Sequence, residues 1–295
     1  MRVVNFGSLN IDYTYRVENL LRPGETKAAK SLAINCGGKG LNQSVALARA
    51  GACVYHASFV GPEGTFLVET LRESGADVQF IQTVPQSCGH AIIQVSDTGE
   101  NCILIHPGTN GLLTMPYVKQ VLSHFSSGDV VLLQNETNLV GQIMEAAVQR
   151  GMLVAFNAAP MDEKTSSYPL DKLKWLFVNE TEGAALSGQT DYDTIAAALR
   201  NRFSHTNIVL TLGEEGCLYA GEEGYFRVPA FPVQAVDTTA AGDTFTGFFL
   251  RAVLDGQGPQ EALTLAARAS AIAVTRPGAA NSIPRWEEVH SQMAV

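Results

Sequence analysis

The chain has 295 residues, 46% of them hydrophobic, enough apolar material for one large α/β domain or two small ones. A formal net charge of −9 argues against a nucleic-acid or anionic-membrane surface and favours small-molecule partners. The five scattered cysteines, Cys36, Cys53, Cys88, Cys102 and Cys217, form no C-x-x-C pair, no apolar run is long enough to span a bilayer, and no signal-peptide core precedes the polar Ser8-Leu9-Asn10-Ile11-Asp12, so the expected setting is the cytoplasm.

Residues 2–8 are β-branched and aromatic and end in Gly-Ser, the pattern of a buried first strand. Asn10 and Asp12 lie just beyond it, as ligand contacts or as ordinary loop residues. Residues 13–34 alternate weakly around Arg22-Pro23-Gly24-Glu25 and predict a strand pair projecting from the main sheet. Residues 35–43 form a glycine-rich loop that feeds an Ala-rich helix at 44–50. The string is neither a P-loop nor G-x-G-x-x-G; its glycines could admit a ligand to the backbone, with Lys39 and Asn42 as donors, or could make a tight turn.

A βαβ rhythm follows, with a strand at 53–60, a helix at 63–74 and a strand at 78–82. It is interrupted by a hairpin, 89–95 and 101–105, that extends the projecting sheet into a plausible lid. The rhythm resumes with strands at 130–133 and 153–156 around a helix at 139–150, and Glu136 and Asn157 fall just after those strands, at the edge where open α/β sheets bind ligands or where helices are capped. The strand 175–178 delivers Asn179-Glu180-Thr181-Glu182, which suits either a hydrated Mg²⁺ near phosphate or a capping box. The strand 207–212 leads through Gly213 and Gly216 to strands at 217–220 and 225–228, a turn that reads as a hairpin on spacing alone.

Val236-Asp237-Thr238-Thr239-Ala240-Ala241-Gly242-Asp243 then opens an apolar helical run that stops at Gly256. A helix start of this kind binds anions through its free N–H groups, and Asp243 at its mouth is either a general base beside an anion hole or a helix cap. A helix at 259–275, a loop at 276–282 and a final packing segment from Trp286 complete the chain, and the six histidines show no metal spacing.

Gly37-Gly38-Lys39-Gly40-x-Asn42-Gln43 and Asp237-Thr238-x-Ala240-Ala241-Gly242-Asp243-Thr244-Phe245, with Asn179-Glu180-Thr181-Glu182 and Thr211-Leu212-Gly213 between them, resemble the motifs of the ribokinase family of carbohydrate kinases, also called PfkB-type kinases. The resemblance spans nearly the whole chain. It implies a single domain over residues 1–295, a three-layer α/β/α body with a mainly parallel sheet, and a small β lid from about 13–34 and 89–105 that also makes a homodimer contact. It further implies that Asn10, Asp12, Gly38, Lys39, Gly40, Asn42 and Glu136 contact sugar, while Asn179, Thr211, Gly213, Gly216 and Gly242 line the ATP site. On the same resemblance Glu182 organises Mg²⁺ through water, and K⁺ is held by Asp237, Thr239, Ala273, Arg276, Gly278 and Ser282, largely through carbonyls. The implied reaction is phosphoryl transfer from MgATP to a sugar hydroxyl, with Asp243 as base and Ala240, Ala241 and Gly242 as the anion hole. The 5-hydroxyl of D-ribose is the expected acceptor. Alternatives are deoxyribose, another pentose or hexose, a nucleoside, or a sugar-binding regulator without catalysis. Ile11 and Leu41 depart from the family's usual smaller residues and are expected to add bulk beside the sugar.

Overall fold

The structure, a computed structural model, describes residues 1–291. Its strands are β1 (Val3–Phe6), β2 (Asn10–Arg16), β3 (Ser31–Gly37), β4 (Val54–Val60), β5 (Asp77–Thr83), β6 (Gly89–Val95), β7 (Asn101–His106), β8 (Val130–Gln134), β9 (Leu153–Asn157), β10 (Trp175–Asn179), β11 (Asn207–Thr211), β12 (Cys217–Gly221) and β13 (Gly224–Val228). Its helices are α1 (Lys39–Arg49), α2 (Thr65–Ser74), α3 (Met115–Leu122), α4 (Val140–Gln149), α5 (Glu180–Ser187), α6 (Tyr192–Arg202), α7 (Ala241–Leu254), α8 (Pro259–Val274) and α9 (Trp286–Ser291).

Nine strands form one sheet in the order β13-β12-β11-β10-β9-β8-β1-β4-β5, parallel except where β12 and β13 add an antiparallel edge. The parallel strands are short apolar runs because both faces are covered. Successive residues go to opposite sides: Val130 and Leu132 of β8 join a core with α1, α2, α7 and α8, whereas Val131 and Leu133 join a second core with α3, α4, α5 and α6. The result is the expected three-layer α/β/α body.

A separate four-stranded sheet runs β3-β2-β6-β7, built from the two segments expected to project. Its β2 begins at Asn10, so Asn10 and Asp12 lie on a strand and not in a loop after β1. Three elements differ from the sequence reading. α1 begins at Lys39, five residues before the expected 44, because distant residues satisfy its first N–H groups, as described below. α3 and α6 were not anticipated: each is short and is fixed by a side-chain cap, Thr114 accepting from the Tyr117 amide and Asp191 accepting from the Thr194 amide. The terminal packing segment is helical as far as Ser291, and its last residues, 292–295, lie outside the described part. Among the described residues, no helix is long and apolar enough to cross a membrane.

Candidate active site

All parallel strands of the large sheet end on one rim, and α1 and α7 both begin there. α7 starts after Ala240, a non-glycine residue held at φ 61°, ψ 13°, which turns the preceding loop into the helix. No side chain caps that end, Gly242 is exposed, and a Cβ at Gly242 would meet nothing within 4 Å. Ala241 departs from expectation: its N–H donates to Thr238 O at 3.2 Å, which removes one donor from the three-residue anion hole and leaves the amides of Ala240 and Gly242. Asp243 is 5% exposed and accepts a hydrogen at each oxygen, from Asn42 Nδ2 at 3.0 Å and Gln43 Nε2 at 2.8 Å. Its carboxylate is therefore turned toward α1 and does not cap its own helix.

The start of α1 is built differently. Glu136 Oε2 accepts from the Lys39 amide at 2.8 Å and from Ser8 Oγ at 2.5 Å, and Ser8 takes the next two amides, Gly40 N to its hydroxyl at 3.1 Å and Leu41 N to its carbonyl at 2.9 Å. Those donors are consumed inside the protein. Gly40 is accordingly a packing residue and not a substrate contact: its N–H is bound to Ser8, its carbonyl accepts from Asn5 Nδ2 at 2.8 Å, and a Cβ there would lie 2.1 Å from Ser8 N. Gly38, at φ 94°, makes the turn into the helix. Glu136 spends one oxygen on capping, and its Oε1 is left for a ligand. Asn42 gives its amide hydrogen to Asp243 while its Oδ1 is buried with no protein partner, an acceptor in search of a donor.

Asn10 is buried, and its Oδ1 accepts from Asn110 Nδ2 at 2.7 Å, so its own amide hydrogens face away from Asn110. Asp12 lies over Gly37, where a Cβ would come within 2.1 Å of the carboxylate; only glycine leaves room for it. Burial pushes the Asp12 carboxyl up to about 7, and the nearby charge of Glu136 adds to the effect. Burial also raises Glu136, against the hydrogen bond from Ser8 and the charge of Lys39. The expected extra bulk does not reach this region: Ile11 and Leu41 are 2% and 0% exposed and belong to the main apolar core.

On the adjoining part of the rim, Asn179 ends β10 and pairs in register with Thr211 at the end of β11. Asn179 and Glu182 form a reciprocal capping box, Glu182 N to Asn179 Oδ1 at 2.8 Å and Asn179 N to Glu182 Oε2 at 3.0 Å, so the box is anchored on Asn179 and not on Thr181. Burial raises the Glu182 carboxyl, and its second oxygen is available to a metal-bound water. Among the described residues, no three His, Cys, Asp or Glu side chains gather as a metal cage. Gly213 begins the turn after β11, whereas Gly216 has both amide groups engaged within that turn and serves the hairpin. The charge of Asp243 raises the Lys39 ammonium, with Glu136 and Glu182 contributing, so this lysine lies in the field of carboxylates from both halves of the rim.

The residues expected at a monovalent cation lie on two loops that the fold joins. Asp237 Oδ1 accepts from Thr239 N and Oδ2 from Gly278 N, both at 2.9 Å, while the amides of Val236 and Asp237 donate to Val274 O. Arg276 pairs with Glu288 at 2.5 Å, and Ser282 Oγ donates to Ala279 O, so Arg276 and Ser282 have carbonyls to offer and not these side-chain donors. Ala273 is fully buried in the last turn of α8.

The family model for the pfkB family carbohydrate kinase matches residues 1–286. The chain belongs to this family. It is 36% identical to a ribokinase of Haemophilus influenzae over 292 residues, covering 96% of this chain and 95% of that protein. It is 32% identical to a deoxyribokinase of Salmonella typhi over 305 residues, covering 100% and 99%. The structure of Arabidopsis thaliana ribokinase complexed with ribose and ATP superposes with a TM-score of 0.89 at 28% identity, covering 100% of this chain and 99% of that one. Sequence reasoning about this kinase missed Ser8, which builds the start of α1, and Asn110, which orients Asn10. It also passed over Asn5, His56 and Gln134, though each was signalled by a polar residue inside an otherwise apolar strand.

Proposed function

We propose that this carbohydrate kinase transfers the terminal phosphoryl group of ATP to the 5-hydroxyl of D-ribose, with Asp243 as the base. The observation that carries the reading is a buried carboxylate held at both oxygens in the first turn of a helix whose Gly242 amide is open. Full-length similarity to ribokinases supports ribose as the acceptor, and the burial of Ile11 and Leu41 in the core removes the bulk that favoured a different sugar.

In this reading the Asn10 amide hydrogens, Asp12, Glu136 Oε1 and the orphaned Asn42 Oδ1 receive the sugar hydroxyls, and Gly38 keeps the turn beside them open. Lys39 supplies positive charge between Asp243 and Glu182. Asp243 takes the proton of the attacking hydroxyl as its oxygen bonds to phosphorus, while the amides of Ala240 and Gly242 stabilise negative charge on the moving phosphoryl group. One such donor is worth about 3 kcal/mol in other enzymes. Asn179, Thr211 and Gly213 line the nucleotide, and Glu182 holds a hydrated Mg²⁺ whose charge offsets that of the phosphates. Asp237 and the carbonyls of Thr239, Ala273, Arg276, Gly278 and Ser282 would hold K⁺, which would supply positive charge beside the loop leading into α7. The small sheet acts as a lid and pairs with that of a second copy, and the protein works in the cytoplasm.

A coupled assay of ADP release with ribose, deoxyribose, other pentoses and hexoses, and nucleosides tests this. Ribose is expected to give the highest kcat/KM. Higher kcat/KM with deoxyribose would replace ribose as acceptor, the reading favoured by the deoxyribokinase relative, and no turnover with any sugar would overturn the kinase assignment.

A further inference from the structure

Polar side chains are buried in three adjacent strands of the central sheet: Asn5 of β1 and His56 of β4 are 0% exposed and Gln134 of β8 is 1% exposed. Buried polar groups destabilise a fold unless they are paired, and these are linked to one another through α1, with His56 Nε2 and Gln134 Oε1 left without a protein partner. Gln134 Nε2 donates to Gln43 Oε1 at 2.7 Å and to Asn5 Oδ1 at 3.1 Å. Asn5 Nδ2 donates to Gly40 O at 2.8 Å and to Ser44 Oγ at 2.9 Å, and Ser44 Oγ lies 2.8 Å from His56 Nδ1. At the other end, Gln43 Nε2 donates to Asp243 Oδ1.

The chain has a direction. Gln134 gives its amide hydrogens to Asn5 and Gln43, Asn5 gives its own to Gly40 and Ser44, and the Ser44 hydroxyl pairs with His56 Nδ1 as donor or acceptor according to the tautomer of the ring. Complete burial holds the His56 imidazole down to about 3, so the ring stays neutral across the working pH range. Turning the Gln43 amide over would set its oxygen against the Asp243 carboxylate and its nitrogen against the Gln134 amide nitrogen, two repulsive contacts in a region of low dielectric.

We propose that Gln43, locked by Gln134 and the Asn5-Ser44-His56 chain behind it, is a positioning residue that fixes the orientation of the Asp243 carboxylate and always presents it with an N–H. This deepens the proposed function and rests on Asp243 as base. Asn42 holds the second oxygen, so the carboxylate has one donor per oxygen and little freedom to rotate away from the acceptor hydroxyl.

The test is the single-turnover rate, with sugar and ATP saturating, in Gln134→Met and Gln43→Met, which remove the amide and keep the volume, measured beside the sugar and ATP affinities. The charged groups facing Asp243 are Lys39 from α1 and Glu136 from the loop after β8, and both are retained. Each variant is expected to lower the rate about tenfold, since a donor to the base is lost or loosened. Sugar and ATP affinities should stay within about twofold, a split that a general loss of structure would not give. In the double variant, Gln134→Met should add less than about twofold to Gln43→Met, because it acts through that residue. A wild-type rate in either folded variant would overturn the proposal, as would fully multiplicative effects. Asp243→Asn separates the two readings: if it retains turnover, the base assignment fails, whereas an inactive Asp243→Asn beside an unaffected Gln43→Met refutes only the positioning.

Discussion

Asp243 is held at both oxygens by amides of one helix while it sits in the first turn of another, so its position depends on neither helix alone. Asp243→Asn retains the shape and one acceptor oxygen, and should bind sugar with unchanged affinity in calorimetry while kcat falls by about 10²–10⁴-fold, the usual worth of a general base. Asp12 gives a second residue-scale prediction. Its carboxyl titrates near 3.8 in the unfolded chain and is raised to about 7 by burial in the native one. The folded state therefore binds the proton more tightly, and this contribution to stability is full below about pH 4 and is lost as pH rises through about 7. In unliganded protein, Asp12→Asn should remove a slope of at most about 1.4 kcal/mol per pH unit from the stability profile between those limits. Sugar affinity runs the other way. An ionised Asp12 is the better acceptor for hydroxyls, so the wild-type dissociation constant should fall as pH rises from 6 to 8, whereas that of Asp12→Asn should be weak and flat.

At the scale of elements, the meeting of α1 and α7 brings Asn42 and Gln43 to Asp243. Gly247 allows it: a Cβ at that position would sit 2.4 Å from Ala46 Cβ and 2.9 Å from Leu47 N. Gly247→Ala should therefore push the helices apart, destabilise the fold by about 1–3 kcal/mol as overpacked cores do, and lower kcat more than sugar affinity. Adding Ala46→Gly vacates the colliding methyl and should recover part of both losses in thermal melts and steady-state assays; unchanged melting of Gly247→Ala would show that the interface yields freely. This contact was not legible in the sequence. The βαβ rhythm, the projecting hairpins and the loop-to-helix start of α7 were, because period-two runs, glycine stops and a bare Ala-Ala-Gly turn are local signals. The start of α1 was misplaced because its amides are satisfied by Ser8 and Glu136, residues remote in the chain that no window around Gly38 contains. Gly40 and Gly216 were expected at ligands for the same reason: a glycine required by a neighbouring backbone looks, in sequence, like one required by a phosphate.

For the whole molecule, the small sheet poses a problem of exposed surface. Leu32, Ile34, Ile103, Leu104 and Ile105 are 49–67% exposed, Ile103 and Ile105 on one face of the sheet and Leu32, Ile34 and Leu104 on the other. Register fixes which of them matter to the site. Asp12 pairs with Ala91 and Ala91 with Ile105, while Thr14 pairs with Ile93 and Ile93 with Ile103, so Ile103 and Ile105 share the face that carries Asn10 and Asp12. A second copy of the same sheet, related by a two-fold axis, would cover that apolar face and wall off the sugar-contacting residues at once. Ile103→Lys with Ile105→Lys should then convert a dimer to a monomer in sedimentation equilibrium, raise the sugar KM about tenfold or more, and leave the ATP KM nearly unchanged, because the nucleotide side of the rim proposed above is built from β10, β11 and α7 of the body. Retention of the dimer in that variant would place the contact elsewhere. A monomeric wild-type protein would leave the lid to close over the sugar within one chain, and the double lysine variant would then affect solubility more than KM.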